Sequence, residues 1–294
     1  MLTKPEWLID GILPRNSTSF IVGSPGSFKT FLALAFGLSI ATGRSWHQHP
    51  VHAGNVLHIV GEGGSGIRRR ATAWMDDQQL PTSQSYRWGC TLTPIDLMAD
   101  LGDFIVGVQT AFYDGPLELL VIDTLARNHS GDENSSQAMS SLIRQADMLR
   151  LKLGCSVMFL HHLNKDGVFR GSTVLEGALD TIINCERDGE QVKVTCSKQK
   201  DDEEFKPFLL QRRTVGDSIV LDIAGGEKAY SKYSKPVLTA LLDGPMTYAA
   251  LLRMSGTNEA QFALTWAELI AADLVRPLDD HTGMETRWTI NPHS

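Results

Sequence analysis

The sequence has few of the features that mark membrane-spanning, disulfide-bonded or zinc-binding chains. Within its 294 residues, no apolar run approaches the roughly 18 residues that a membrane-spanning helix needs. Its four cysteines show no Cys-x-x-Cys spacing, so we expect neither a zinc site nor a disulfide framework. The first ten residues, MLTKPEWLID, lack the apolar core of a secretory signal peptide. We therefore expect a cytoplasmic protein that makes no membrane contact.

The sequence also has no excess of basic over acidic residues. The chain carries 27 basic and 34 acidic residues, which gives a net charge of −7 at neutral pH. This balance argues against a protein coated in basic surface for gripping duplex nucleic acid. A local basic channel, or one enclosed by a ring of subunits, remains compatible with it.

Apolar, β-branched runs alternate with helical patterns along most of the chain. Four runs predict buried strands: SFIVG (19–23), NVLHIVGE (55–62), LELLVIDT (117–124) and CSVMFLHH (155–162). Continuous apolar strands separated by helical patterns indicate an α/β fold with a parallel sheet covered on both faces. Three later runs, TIINCER, QVKVTCSKQK and FLLQRR, predict antiparallel additions at one edge of that sheet.

The character of the sequence changes near AGGEKAYSKYSKP (224–236), and we place a domain boundary there. The predicted domains are residues 1–228 and residues 229–294. The second contains three short helical patterns followed by a possible hairpin, VRPLDDHTGMETRWTI. Three short helices and a hairpin predict a small winged-helix-like domain.

The charge of this C-terminal domain is unusual for a DNA-binding module. From Tyr233 to Ser294 the chain has four basic and seven acidic residues, a net charge of −3. The segment that would form a recognition helix, NEAQFALTWAELIAADL, contains no Lys or Arg. Phosphate attraction supplies most non-specific DNA affinity, so contact with a protein partner or ring assembly is favoured, while DNA contact stays open.

The segment IVGSPGSFKTFLAL (21–34) matches the phosphate-loop pattern G-x-x-x-x-G-K-[ST] except that Phe28 replaces the second glycine. In such a loop, backbone N–H groups and the start of the following helix face anionic phosphates. Lys29 would reach the β- and γ-phosphates of ATP, and the Thr30 hydroxyl would ligate Mg²⁺. A plain strand–turn–helix corner is the competing interpretation. The predicted nucleotide-contacting residues are Gly23, Ser24, Pro25, Gly26, Ser27, Phe28, Lys29, Thr30 and Phe31.

Two acidic residues that follow apolar strands complete the predicted site. Asp123 ends LELLVIDT, where an acid can support Mg²⁺. Glu62 ends the strand directly after the first predicted helix, so we expect it beside the phosphate loop. A carboxylate there can orient or deprotonate the attacking water, although Glu62 could also simply stabilise the start of the next helix.

Together these segments resemble the RecA-fold ATPases of the hexameric helicase kind, especially the plasmid RepA-type helicases and related phage ATPases. The resemblance covers roughly Trp7 to Asp202 and rests on the order and spacing of WLIDGILP, GSPGSFKT, VGEGG, VIDTLAR, FLHHLNKDGVFRGSTVLEGALDTI and SKQKD. It implies a P-loop NTPase with a RecA-like core that uses ATP and Mg²⁺. It also implies a homo-oligomer, a hexamer, in a bacterial or phage-infected cell.

The resemblance also implies roles for individual residues. Glu62 matches the catalytic glutamate, Asp123 the Mg²⁺-coordinating aspartate, and His162 a polar residue that senses the γ-phosphate. A histidine at a strand end that merely satisfies its own hydrogen bonds is the competing interpretation of His162. The following NKDGVFRGS segment matches a loop facing a central channel, where Lys165 and Arg170 would contact single-stranded DNA. A simply solvated loop is the alternative there.

SKQKD resembles the finger segment of DnaB-type helicases, in which two alternating cations reach the γ-phosphate of the neighbouring subunit. Lys198 and Lys200 match these cations, and residues two apart on a strand share a face. This chain has Lys200 where such helicases usually carry Arg, and a lysine lacks the bidentate fork. The position that matches the arginine finger of plasmid helicases is Asp180 in this chain, so Arg212 and Arg213 are additional candidates.

The sequence therefore predicts an oligomeric ATPase motor, a replicative DNA helicase of a phage or plasmid. Two alternatives stay open. One is a DNA-dependent ATPase that does not unwind, such as a recombinase-like protein or helicase loader. The other is a regulator or adaptor that uses the nucleotide as a switch, which intact Lys29, Thr30, Glu62 and Asp123 disfavour.

Overall fold

The computed structural model describes most of the chain. The described residues are 5–61, 64–80, 86–97, 99–112, 115–132, 135–163, 177–223, 234–242, 244–271, 274–278 and 286–290. The chain divides into two compact units, Met1–Gly226 and Glu227–Ser294. Within the described ranges, no helix has both the length and the hydrophobicity that a bilayer crossing requires.

The first unit contains eleven of the strands. They are β1 (Trp7–Ile9), β2 (Leu13–Pro14), β3 (Thr18–Gly23), β4 (Asn55–Val60), β5 (Trp88–Thr91), β6 (Leu117–Asp123), β7 (Ser156–His162), β8 (Thr181–Asp188), β9 (Gln191–Gln199), β10 (Phe208–Val215) and β11 (Ser218–Ile223). The helices with described bounds in this unit are α1 (Lys29–Thr42), α2 (Gly64–Asp77), α3 (Leu101–Ala111), α4 (Leu125–Asn128) and α5 (Ser136–Leu153).

Within the described residues, nine strands form one sheet in the order β11-β10-β9-β8-β3-β7-β6-β4-β5. The six strands from β8 to β5 in this order are parallel, whereas β9, β10 and β11 join antiparallel at one edge. The prediction of a mainly parallel α/β sheet with antiparallel edge strands is confirmed. The sequence patterns did not predict β5 or β11, because β5 has only four residues and both strands are only partly buried.

The sheet is buried on both faces, which explains why its central strands read as continuous apolar runs. Every residue of β3 and of β6 is buried. Leu119 and Val121 of β6 pack into the core that contains α1 and α2. Leu120 and Ile122 point the opposite way, into the core that contains α3 and α5.

Helix α1 lies inside one of these two layers. Eleven of its fourteen residues are buried, so it carries almost no polar face. It ends at Gly43, which adopts a left-handed conformation with φ of 74° and donates its N–H to the carbonyl of Ile40. A helix this enclosed fixes the position of its own first residues, Lys29 and Thr30.

A short N-terminal hairpin of β1 and β2 is tied to the sheet by an ion pair. Arg15, just after β2, donates from Nε and Nη2 to both carboxylate oxygens of Glu118 on β6, at 3.0–3.1 Å. The Glu118 side chain is 7% exposed and the Arg15 side chain 29% exposed. The bidentate geometry is the strong form of a guanidinium–carboxylate contact.

The second unit has its own core. Its elements are α6 (Ser234–Leu242), β12 (Met246–Thr247), α7 (Tyr248–Ser255), α8 (Glu259–Ala271), β13 (Val275–Pro277) and β14 (Arg287–Ile290). The three strands form an antiparallel sheet in the order β12-β14-β13. Aromatic rings hold the unit together, since Trp266 packs on Phe262, Tyr248 and Trp288 with ring centroids 5.0–5.8 Å apart.

Candidate nucleotide site

The phosphate-loop segment lies at the carboxyl end of β3, between the middle of the sheet and the start of α1. The first N–H groups of a helix have no partner within the helix, and the helix dipole makes this end positive. The first turn of α1 carries no acidic side chain and no side-chain cap. The start of α1 is therefore suited to face an anion.

Gly23 is required at the end of β3 because the strand meets β8 closely. A Cβ placed on Gly23 would lie 2.3 Å from the carbonyl oxygen of Cys185 and 2.5 Å from the hydroxyl of Ser27. The first of these atoms belongs to the backbone of β8 and has little freedom to move. Packing against β8 therefore requires a glycine at this position, independently of phosphate binding.

Phe28 takes the conformation that a glycine would ordinarily supply. It precedes α1 with φ of 67° and ψ of 20°, in the left-handed region. For a residue with a Cβ, that conformation is less stable by about 1–2 kcal/mol. Its ring packs edge-on against Phe31, with centroids 5.8 Å apart, and lies 5.1 Å from the guanidinium carbon of Arg187. Such contacts contribute about 0.5–1.5 kcal/mol each, which is enough to offset the strain.

Lys29 is directed into the loop and is almost fully buried, with 5% of its surface exposed. Its Nζ donates to the carbonyl oxygens of Gly23 at 2.8 Å and Ser24 at 2.9 Å. The same Nζ lies 3.3 Å from Nδ1 of His162. His162 ends β7, which pairs in parallel with β3 so that Gly23 stands opposite His162. The structure therefore brings together the predicted phosphate-binding lysine and the predicted γ-phosphate sensor.

Thr30 and Asp123 meet at the same edge of the sheet. The Thr30 hydroxyl donates to Oδ2 of Asp123 at 2.7 Å. Asp123 is 3% exposed and ends β6, two strands away from β3. A hydroxyl and a carboxylate are oxygen donors of the type that Mg²⁺ prefers. The two residues predicted as metal ligands thus lie in direct contact.

Several polar atoms near these residues are enclosed without a hydrogen-bond partner in the described part of the chain. They include the hydroxyls of Ser27, in the loop, and Thr124, next to Asp123. Both ring nitrogens of the fully buried His58 on β4 are also unpaired, and its Nε2 lies 3.8 Å from Oδ2 of Asp123. Burying polar groups without partners is costly. Together with the oxygen donors of Thr30 and Asp123, these groups fit a magnesium-bound polyphosphate.

Arg70 on α2 is a residue of this region that sequence reasoning missed. Its guanidinium carbon lies 4.7 Å from the ring centroid of Phe31, the residue directly after Thr30. Burial lowers the pKa of Arg70, while the negative charge of Asp123 acts in the opposite direction. Three consecutive arginines, residues 68–70, signalled a basic helix, but only packing shows which of them faces α1.

The end of β4 bears on the expectation that Glu62 lies beside the phosphate loop. In the sheet, β7 and β6 lie between β4 and β3, so the strand before Glu62 is not adjacent to β3. Strand β4 ends at Val60, opposite Asp123, so the chain leaves the sheet next to Asp123. Glu62 itself, like Lys165 and Arg170, lies outside the described residues.

Lys198 and Lys200 lie away from the phosphate loop of their own chain. Lys198 Nζ donates to the carbonyl of Gly177 at 2.9 Å, and Lys200 Nζ lies 3.2 Å from Oδ1 of Asp180. The other oxygen of Asp180 accepts from the backbone N–H of Thr18, at the amino end of β3. Strand β3 advances roughly 3.3 Å per residue, which places Asp180 about 17 Å from the Gly23 end.

The expectation that both lysines lie on one strand is only partly met. Strand β9 ends at Gln199, so Lys200 follows the strand instead of belonging to it. The pairing of β9 with β8 also shifts register between Ile182 and Ile183, where one residue of β9 is inserted. The inserted residue precedes Lys198, so it does not change the spacing of Lys198 and Lys200, but Lys200 lies beyond the end of the strand.

A parallel sheet that carries a phosphate loop, a lysine, and a threonine–aspartate pair at its carboxyl edge defines a P-loop ATPase. A family model described as "AAA domain" matches residues 1–168, and the chain belongs to that family. The match ends just beyond β7, so it covers the start of α1, with Lys29 and Thr30, and the strands that end in Asp123 and His162. Membership implies nucleotide binding, usually with Mg²⁺.

Proposed function

We propose that this protein is an ATP-hydrolysing RecA-like motor that assembles into a hexameric ring and acts as a replicative DNA helicase of a phage or plasmid. The observation that carries the proposal is the contact between Lys29 and His162. It links the phosphate-binding lysine to the last residue of β7, directly before the segment that contains Lys165 and Arg170. Loss of the γ-phosphate would therefore affect His162, which directly precedes the segment predicted to contact DNA.

In this proposal each predicted site residue has one role in ATP binding or hydrolysis. Lys29 neutralises the β- and γ-phosphates, and its pairing with loop carbonyls is replaced by phosphate oxygens. Thr30 and Asp123 hold Mg²⁺, which supplies charge neutralisation at the phosphate oxygens when bound. Glu62 orients and deprotonates the attacking water, which fits a chain that leaves the sheet beside Asp123. His162 reports whether the γ-phosphate is present.

The arrangement of Lys198 and Lys200 supports action between subunits. Because both contact the 177–180 segment, toward the far end of β3, they are poorly placed to serve their own phosphate loop. Action on a neighbouring chain requires a homo-oligomer whose nucleotide sites lie at subunit interfaces. A hexamer with single-stranded DNA in a central channel is the form that we propose.

We further propose that the second unit is a winged-helix-like module that contacts a protein partner or another subunit. Its order of one helix, a short strand, two helices and two strands supports a winged helix. Its net charge of −3 over residues 233–294 disfavours a grip on duplex DNA.

The test measures ATP hydrolysis by the full chain with and without single-stranded DNA, together with its mass in solution and in the presence of Mg²⁺ and ATP. We expect DNA-stimulated turnover and a mass of six chains. Displacement of a labelled strand from a forked duplex then separates a helicase from a DNA-dependent ATPase that does not unwind. Turnover by a monomer that ignores DNA would contradict the motor, and nucleotide binding without turnover would favour a switch.

A further inference from the structure

We propose that Arg187 is a positioning residue that holds the phosphate loop in its binding shape through the ring of Phe28. This inference rests on the proposed nucleotide function and adds a residue to it. Phe28 stands directly before Lys29, and its ring lies 5.1 Å from the guanidinium carbon of Arg187. The two residues are 159 positions apart, so the contact joins the loop to a distant strand.

The shape of the loop depends on Phe28 because its backbone conformation is unusual for a residue with a Cβ. At φ of 67° and ψ of 20° the chain turns directly before the first residue of α1, at the helix end that favours an anion. The carbonyl of Phe28 already accepts the N–H of Leu32 at 3.1 Å, as a helix cap should. Without contacts on its ring, Phe28 would favour the ordinary regions of φ and ψ, and the chain would no longer make this turn.

Arg187 is well placed to supply such a contact, because it belongs to a strand that pairs with β3. It lies near the end of β8, which pairs with β3 from Ser19 to Val22. Its Nε donates to the carbonyl of Gly189 at 2.9 Å, in the turn before β9. The guanidinium therefore has a defined place relative to the strand that carries the loop. Phe31 contacts the ring from within α1, so Arg187 supplies the support from outside the loop–helix segment.

A double-mutant cycle tests whether Arg187 acts through the ring. The measured quantity is the dissociation constant of the full chain for Mg-ADP and for inorganic tripolyphosphate, each by titration calorimetry. We expect Arg187→Ala to weaken both ligands about threefold, the factor that corresponds to an exposed cation–ring contact. In the Phe28→Gly background the ring is absent and glycine adopts the left-handed conformation without strain. The same arginine replacement should then have no effect on either ligand.

Two further variants keep the result interpretable if Arg187→Ala lowers stability. Arg187→Lys keeps a cation near the ring and should recover most of the affinity. Lys193→Ala removes an exposed cation from β9, the neighbouring strand, and should leave both dissociation constants unchanged. Thermal denaturation of each variant identifies any loss of folded protein before binding is compared.

The outcomes separate the inference from the function on which it rests. Two results would overturn the inference. One is that Arg187→Ala raises the dissociation constants equally in the wild type and in the Phe28→Gly protein. The other is that it leaves the dissociation constants of the protein with Phe28 unchanged. Weakening of Mg-ADP alone, with tripolyphosphate unaffected, would also overturn it, because the arginine would then act on the nucleoside. Failure of the wild-type chain to bind either ligand would instead overturn the proposed function, and the inference with it.

Discussion

The Thr30 hydroxyl lies 2.7 Å from Oδ2 of Asp123 and donates a hydrogen bond to it. Thr30 is the second residue of the helix after β3, and Asp123 ends β6, with β7 lying between the two strands. The contact places one hydroxyl and one carboxylate where a magnesium-bound phosphate would need them. The two side chains therefore lie at the same edge of the sheet.

Asp123→Asn should remove the dependence of nucleotide binding on Mg²⁺. The amide keeps the size of the side chain and can still pair with Thr30, but it loses the negative charge that attracts the ion. We expect ATP to bind the variant with similar affinity with and without Mg²⁺, whereas the wild type binds more tightly with Mg²⁺. Titration of a fluorescent ATP analogue in Mg²⁺ and in EDTA measures this. An undiminished Mg²⁺ effect in the variant would remove Asp123 from the metal site.

Glu62→Gln should separate binding from hydrolysis. If Glu62 deprotonates the attacking water, the amide cannot, and turnover should fall by at least about a hundredfold. Nucleotide affinity should change less than about threefold, because Lys29 and Thr30 remain intact. Single-turnover hydrolysis and equilibrium binding are measured on the same preparation. Near wild-type turnover would assign Glu62 to the start of α2 instead.

Arg15→Ala should destabilise the first unit by about 2 kcal/mol. It leaves the nearly buried carboxylate of Glu118 without its bidentate partner, although 29% exposure of Arg15 keeps the loss below the 3–5 kcal/mol of a fully buried pair. Denaturation by urea, followed by fluorescence, gives the change in the free energy of unfolding. The control is Arg212→Ala, which breaks an exposed pair with Glu190 and should cost about 0.5 kcal/mol. Equal losses for the two variants would contradict this account.

His47 should make the fold less stable at mildly acidic pH. Burial lowers the pKa of His47 to about 4 from its ordinary 6.5, with His49 adding to the decrease while Asp222 and Asp77 oppose it. Between those two pH values the unfolded chain binds a proton that the folded chain excludes. The contribution of His47 to the free energy of unfolding is therefore fully present above pH 6.5, and it is lost as the pH falls toward 4.

The replacement His47→Gln tests this dependence, because glutamine is neutral at every pH used. The free energy of unfolding is measured at pH 7.5 and pH 5 for both proteins. We expect the wild type to lose more stability over this interval than the variant does. An equal loss in the two proteins would show that other groups determine the acid sensitivity.

The parts of the site that the sequence predicted are those fixed by strand ends. Strands β3, β6 and β7 are long apolar runs because both faces of the sheet are covered, and each ends in a recognisable polar segment. Since the carboxyl ends of parallel strands meet at one edge, Lys29, Asp123 and His162 could be expected near one another. Their contacts follow from that shared edge more than from any local motif.

Other features depend on strand order and side-chain packing, which local patterns do not contain. The sheet places β4 beside β6 and two strands further from β3, a strand order that the sequence patterns do not contain. Strand β9 ends at Gln199, so Lys200 lies just beyond the strand that carries Lys198. The glycine-like conformation of Phe28 and its contact with Arg187 likewise arise from tertiary packing across 159 residues.

The central claim is that the loop around Lys29 binds and hydrolyses ATP. The most direct measurement is Mg²⁺-dependent release of phosphate from ATP by the wild type and by Lys29→Ala, with Lys193→Ala as the surface control. Loss of the buried cation should lower turnover by at least about a hundredfold, while the control stays at the wild-type rate. Undiminished phosphate release by a folded Lys29→Ala protein would contradict the account.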